Sequence, residues 1–551
     1  MDVEDGVRDA FSCIELSYNH LRSKRDELMF LMWSMFPEDH EFFVEDLIRY
    51  GVGLGICGEV ESIDTARNQL RASINKLINS CLLMHSDKNK EHFSNVNRAD
   101  HVKMHDMVRD TALWIASRSE NKKILVNLVN DLNTLVENGD INDYFAVSSW
   151  NKKMNRIAAQ VTATKLEFLL LSSRMSLDIA SASFEGLKEI KVMAIISEGY
   201  RTLLSLPHST QSLTNLQTLC LRGWDLDDIS FILNLTKLEV LDLRACRFKQ
   251  IPKEIERLNK LKLLDLQGCA VLENYNSEAI GNCEQLEELY VSGPSFQKDD
   301  KCMFPCQTFL DDVISSNLQR HVLELGPLQT YGHGINENSS VRALSLKEFD
   351  ISKFGASKMN LLQRAEEISL NRLRGGCKNV APELVKAAGS MNDLTKLRLR
   401  SCSEIECIID TSSSGSNAKL PMLLVRILLS KGSEPSVLSV LSSLGFKAWQ
   451  VTGWFNSEEH SFSPDGLGKL LSNEQKIATT RTLLPRYCPR VLTTPDRQIN
   501  QAARGGLVKD HLSGFSPLNA EKELFPFQSK VLATQEIAYH IKSPCSGTAR
   551  L

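Results

Sequence analysis

The chain has 551 residues, 42% of them hydrophobic and 24% charged, with a formal net charge of −4 at pH 7. Such a length asks for several domains or one long array, the slight acidity gives no bulk pull toward nucleic acid, and the apolar content is that of a globular protein. The acidic start MDVEDGVRDAF does not read as a secretory signal. No apolar run reaches about 18 residues, so no transmembrane segment is expected; the stretch Met422–Leu429 is short and broken by Arg426. The 14 cysteines are accordingly expected as reduced thiols, several packed as small apolar residues. No metal site is expected, because Cys302 and Cys306 lack a second pair at zinc spacing.

Residues 1–120 read as helices. Phe11, Ile14, Tyr18 and Leu21 fall at helical spacing. Glu27–Phe36 is apolar nearly all round, as in a buried helix, and Pro37 ends it. Phe43–Ile56 is a further helix, loosened at its end by Gly51, Gly53 and Gly55. Asp64 or Thr65 could cap the next, whose stripe is Ala66, Leu70, Ile74, Leu77 and Ile78. Cys81–His85 and His101–His105 then bracket a polar stretch as a hairpin with a long tip. Helices followed by a hairpin outline a winged helix. That outline, with Arg67, Arg71 and Lys76 on the stripe helix, is what favours DNA; the net acidity of the chain and the core on the helix's other face weigh against it. A last helix lies within Val102–Arg118, with Val108, Ala112 and Ile115 on one face. His105 and Asp106 sit where strand passes to helix, beside free backbone N–H groups of the kind that attract anions. The plain alternative is that His105 bonds local backbone and Asp106 caps the helix.

Lys122–Val161 is a bridge. Leu125, Leu128, Val129, Leu132, Leu135 and Val136 predict an amphipathic helix that covers the end of the array to come.

The array announces itself in LTNLQTLCL (Leu213–Leu221), LTKLEVLDL (Leu235–Leu243) and LNKLKLLDL (Leu258–Leu266). Leu219, Leu241 and Leu264 recur at steps of 22 and 23 residues, the period of a leucine-rich repeat solenoid. In L-x-L both leucines point to one side of a short strand. One strand buries little, and stacked copies bury a continuous leucine column. Cys246, Cys269 and Cys402 stand where the repeat wants a small residue inside its turn. Pro207 and Pro252 stand where the return path begins. Weaker copies at 166–171, 190–195, 286–291, 321–325, 341–346, 365–370 and 394–399 give about ten units, enough for a stable solenoid. One oversized gap, Gly293–Phe309, is expected as a protruding loop.

Residues flanking the inward leucines form the concave face: Arg222, Asp242, Arg244, Asp265, Gln267, Glu288, Tyr290, Lys396, Arg398 and Arg400 among them. A long curved sheet without a deep pocket binds protein. Beyond Ile405 a Ser/Gly linker follows, and nine of the 16 prolines lie after residue 420. Residues 411–551 are therefore expected as an extension of low order and unknown role. The fold class is α+β: a helical winged-helix-like subdomain (1–120), a linker and cap (121–162), a leucine-rich-repeat α/β solenoid (163–410), and that extension.

Four segments carry a resemblance: SYNHL (Ser17–Leu21), FLMWSMFPED (Phe30–Asp39), INKLINSCLL (Ile74–Leu83) and VKMHDMVRDTALWIA (Val102–Ala116). In this order they resemble the last subdomain of the nucleotide-binding region of plant intracellular immune receptors, the coiled-coil-type nucleotide-binding leucine-rich-repeat proteins. The resemblance implies that His105 faces the β-phosphate of ADP and Asp106 braces the same junction. It also implies repeats that recognise pathogen effectors or guarded host proteins and restrain the nucleotide-binding region. No G-x-x-x-x-G-K-[ST] occurs. The chain, read as truncated at its N-terminus, is thus expected to bind neither ADP nor ATP tightly and to be no enzyme. Partners are expected to be proteins, including a full-length receptor, and not nucleic acid. The implied location is cytoplasmic, with plasma-membrane periphery or nucleus as further sites. The alternatives are a general repeat adaptor and a non-signalling decoy.

Overall fold

The N-terminal helices are α1 (Asp5–Asn19), α2 (Lys24–Trp33), α3 (Val44–Gly53), α4 (Ile63–Asn79) and α5 (Asp106–Ser117). The computed structural model describes residues 5–428 apart from 39, 87–100, 128–140, 151–155, 158–159, 200, 294–308, 310–311, 314–317, 327–341, 351–361, 363, 373, 375–378, 382–392, 395, 401–406 and 410–423.

Each helix end has a local cause. After Trp33 the N–H groups of Ser34, Met35 and Phe36 bond back three residues, tightening the chain before Pro37. The cap of α4 is Ser62, whose Oγ accepts from Thr65 N–H at 3.1 Å, not Asp64 or Thr65. Three short strands complete the winged helix: β1 (Phe42–Phe43), β2 (Met84–His85) and β3 (His101–Lys103). β3 is central and antiparallel to both others. The expected hairpin tip lies outside the described residues. Met29, Phe30, Met32, Trp33, Leu47, Leu70, Leu77 and Ala112 are buried in this subdomain's core. Two buried polar groups tie it further: Asp26 takes Lys76 and Ser73 at 2.6 Å each, and Arg109 Nε donates to Phe36 O at 2.6 Å.

Among the described residues, thirteen parallel strands form one ladder from Ile124–Asn127 to Leu424–Leu428. Leu219 stands beside Leu241, and Leu241 beside Leu264. All three are fully buried in the column that runs through the solenoid. The Sγ of Cys246 donates to Leu221 O, and that of Cys269 to Leu243 O, both at 2.9 Å, so each thiol closes a turn. Burial pushes the Cys246 thiol up to about 12. The return paths are 3₁₀ turns at His208–Ser212, Ser230–Asn234 and Lys253–Arg257, then a short helix at Ser277–Gly281. The first and third of these turns follow Pro207 and Pro252.

The array runs further in both directions than 163–410. Within Lys122–Val161 the described residues hold ladder strands at Ile124–Asn127 and Ala146–Ser149, and most of the expected helix, at 128–140, lies outside the described residues. Ile124 and Val126 pack with the helical core while Leu125 packs on the leucine column. Apolar residues packed on both faces leave no polar–apolar alternation to mark the segment as a strand. At the other end Leu424–Leu428 pairs with Lys396–Arg400, so part of the expected low-order extension is ladder. Residues 429–551, most of the loop Gly293–Phe309, and Cys402 lie outside the described residues. His321 occupies a column position in register with Leu289, fully buried and with neither ring nitrogen hydrogen-bonded.

Candidate functional site

The concave side of the earlier strands is covered by the chain's own helices. Ala146, Phe168, Leu170, Val192, Ala194, Cys220, Val240 and Leu263 project from the ladder into the core of the helical subdomain. Their strand neighbours Leu169, Leu171, Met193, Leu219, Leu241 and Leu264 point into the column. Alternation along each strand thus serves two cores at once. Tyr50 lies against Phe168 with ring centroids 5.2 Å apart. The indole N–H of Trp150 and the hydroxyl of Ser148 both donate to Met35 O at the end of α2, at 3.1 and 2.6 Å.

α3 makes the closest approach. Gly53 sits so near the strand Thr218–Arg222 that a Cβ there would lie 2.3 Å from Thr218 Oγ1 and 2.8 Å from Val192 Cγ2. One turn earlier, Arg49 O accepts from Thr218 Oγ1 at 3.0 Å.

Around this contact lies a buried ionic cluster. Arg49 reaches Asp242 and Asp265, each at 2.7 Å. Asp46 receives both terminal nitrogens of Arg222 at 2.6 and 2.7 Å, and Arg244 as well. Arg222 and Arg244 also close on Asp242, at 2.6 and 2.8 Å. Three arginines therefore face three aspartates, which offsets much of the desolvation that burying charge costs. Alongside, Arg67 of α4 grips Glu288 bidentately at 2.6 and 2.7 Å and Glu45 at 2.9 Å, while Arg71 takes Glu45 at 2.6 Å. The guanidinium of Arg49 lies 5.6 Å above the ring of Tyr290, whose hydroxyl donates to Glu288 at 2.9 Å. Ile63 N–H donates to Glu287 at 2.7 Å.

The electrostatics follow from this packing. Burial would raise Glu45, but Arg67, Arg320 and Arg71 outweigh it and bring it down to about 2. Burial likewise opposes ionisation of Asp46 and Asp242, and the arginines around each win, holding both below the usual carboxylate range. Asp265 goes the other way: burial, with the charge of Asp242 beside it, exceeds what Arg49 and Arg244 return.

Of the expected concave residues, Arg222, Asp242, Arg244, Asp265, Glu288 and Tyr290 thus meet in this one seat. Gln267 is half-buried at its edge, its N–H bonded to Asp265 at 3.0 Å. Lys396, Arg398 and Arg400 stand on a later strand, away from it. The DNA-favouring cations are all engaged: Arg67 and Arg71 as above, Lys76 with Asp26. Sequence reasoning missed Glu45, Asp46, Arg49 and Gly53. The signal available was Asp46 and Arg49 three apart in a helix otherwise lined by Leu47, Ile48, Tyr50 and Val52.

His105 and Asp106 form a separate place. His105 caps α5, its Nδ1 accepting from Met107 N–H at 3.2 Å, and Asp106 Oδ1 accepts from the same N–H at 2.6 Å. The two side chains touch and both are more than half exposed. For a phosphate of ADP or ATP the fit is poor: the Met107 N–H is already taken by the pair, and the Asp106 carboxylate, against His105, adds negative charge there.

No protein-family model matches the chain. It is 28% identical over 292 residues to a disease resistance protein of Arabidopsis thaliana, covering 52% of this chain and 28% of that one. It is 27% identical over 289 residues to Disease resistance protein RPS5 of the same plant (47% and 32%), and 30% identical over 258 residues to Disease resistance protein RFL1 (46% and 28%). A leucine-rich-repeat protein of Leptospira interrogans, a solved structure, is 18% identical with a TM-score of 0.33, covering 66% of this chain and 82% of that one. The chain thus spans about a third or less of the length of these curated plant relatives. With its repeats and helical subdomain in place, this chain is similar to plant disease resistance proteins over about half of its length.

Proposed function

We propose that this chain serves plant defence by protein recognition rather than catalysis, and that its repeats divide the work. The earlier strands hold the helical subdomain in place. The remaining concave surface receives a protein of pathogen or host origin. The observation that carries this reading is the ionic seat: Arg49 and Asp46 of α3 and Arg67 of α4 are each satisfied by carboxylates or guanidiniums of the ladder. The nucleotide-facing role that the resemblance gives His105 and Asp106 needs phosphate-binding groups from another segment or another chain. A cytoplasmic site of action belongs to the same proposal; no helix among the described residues is long and apolar enough to cross a membrane.

The test is protease access to the connector between Ser117 and Ile124. In the intact chain the connector should resist cleavage, and in Arg49→Glu it should be cut readily. Equal resistance in both would remove the proposed restraint. Expressed in leaf tissue beside a full-length relative, the intact chain should associate with it and Arg49→Glu should change that association. Micromolar binding of ADP to the purified chain in calorimetry would restore a nucleotide role to this chain alone.

A further inference from the structure

The helical subdomain and the ladder do not touch everywhere along their boundary. Gly53 closes on Thr218, but the chain that follows it toward α4 leaves a space. Gly55 and Gly58 there take left-handed φ, +64° and +71°, and a Cβ on either would meet nothing within 4 Å. Between α3, α4 and the ladder lies a cavity of about 370 Å³, a size that small-molecule sites occupy. Its walls differ in chemistry. Val52, Val60, Ile63 and Ala66 supply an apolar side from the helices. Gln217, Glu239 and Lys262, each the residue just before a ladder strand, supply a polar side. Lys262 Nζ lies 3.2 Å from Glu239 Oε2, so these two charges offset each other. Glu59 is exposed where it lines the cavity. Among the described residues nothing pairs with Glu59, and nothing bonds the side-chain amide of Gln217. The last turn of α3, through Gly51 and Val52, lines the cavity as well, and the C-terminal end of a helix carries partial negative charge.

We propose that this cavity binds a small amphipathic amine, with its protonated nitrogen at Glu59, its apolar body on Val52, Val60, Ile63 and Ala66, and a hydroxyl or amide at Gln217. The charge that the protein leaves unmatched is the carboxylate of Glu59, which selects a cation. An anionic ligand would meet Glu59 and Glu239 with Lys262 already engaged. The free amide of Gln217 both donates and accepts, so it takes a hydroxyl in either sense. Nothing in this depends on what the repeats recognise. Because the walls belong to helices and ladder alike, an occupant touches both parts of the chain at once.

The experiment uses the full chain and three probes, with affinity read by ligand-observed NMR titration. Tyramine carries both polar ends, phenethylamine lacks the hydroxyl, and hydroxyphenylpropionate has a carboxylate in place of the ammonium. Tyramine should bind with a Kd on the order of 1 mM, in keeping with so small a ligand. Phenethylamine should bind about threefold more weakly, and the propionate should not bind. Glu59→Gln should weaken both amines about threefold. Gln217→Ala should bring tyramine down to the affinity of phenethylamine. Val60→Trp, which fills the cavity, should abolish binding, and the two polar substitutions keep the test open should that variant fail to fold. Lys253→Glu, an exposed position that does not line the cavity, should leave binding unchanged. Absence of tyramine binding, equal binding of the propionate, or undiminished binding in Glu59→Gln or in folded Val60→Trp would each overturn the proposal.

Discussion

The two faces of each ladder strand carry different kinds of information. Leu219, Leu241 and Leu264 face inward and are interchangeable: any similar apolar side chain repeating at that step would build a column. Thr218, Asp242 and Glu288 face the helices, and each meets a particular helix group: the carbonyl of Arg49, the guanidinium of Arg49, and Arg67. The column makes this a repeat protein, whereas the face makes it this one. A change on one side should therefore lower stability without touching the docking on the other, and this can be tested from both directions.

The largest effect should come from Arg49→Glu, which sets a carboxylate against Asp242 and Asp265. Breaking a buried pair in this way costs about 3–5 kcal/mol. Docking should be lost in protease protection while the ladder's circular dichroism is retained. Leu241→Ala, on the opposite face of the same sheet, should cost about 3 kcal/mol through the cavity it leaves. Denaturant melts should show that loss with connector protection intact at low denaturant. Gly53→Val places a side chain where only hydrogen fits against Thr218, an overpacking worth about 1–3 kcal/mol. Hydrogen exchange should quicken in α3 and across Thr218–Arg222, and melting of the column itself should not change.

His321 sharpens the contrast from inside the column. Burial, with Arg342 and Arg364 adding to it, brings its imidazole down to about 3. A base whose folded value is depressed contributes full stability above its unfolded value of about 6.5 and loses it as pH falls toward 3. His321→Leu should therefore gain about 1–2 kcal/mol at pH 7 by removing two unpaired polar atoms, and it should flatten the loss of stability on the acid side. The smallest effect expected is Ser62→Ala, which removes the cap of α4 at a cost of about 1 kcal/mol.

How far the sequence could be read follows from the same division. The column is legible because its rule is local: apolar residue, step, apolar residue. The helices α1 to α5 are legible for a similar reason, since Ala66, Leu70, Ile74 and Leu77 recur on one face. Ile124–Asn127 was not, because a strand wedged between two cores loses the alternation that marks strands. The seat was half legible. Asp242, Asp265 and Glu288 could be placed on the concave face by counting from the leucines. Their partners could not, since Arg49 and Asp242 are 193 residues apart, and Arg67 and Glu288 are 221 apart. Nothing in a neighbourhood of ten or twenty residues records a pairing at that distance. Gly53 was visible only as a residue that weakens a helix end, and its close approach to Thr218 depends on a strand not yet folded when the helix is read.

The cations of the seat are arginines throughout: Arg49, Arg67, Arg71, Arg222 and Arg244. A guanidinium does not shed its proton at any pH a cell reaches, and Asp46, Asp242 and Glu45 stay ionised well into acid. A fall in pH therefore leaves these pairs between helices and repeats in place, Asp265 being the acid of the seat whose carboxyl is raised instead. A rival surface bearing its own charges would compete for the same partners.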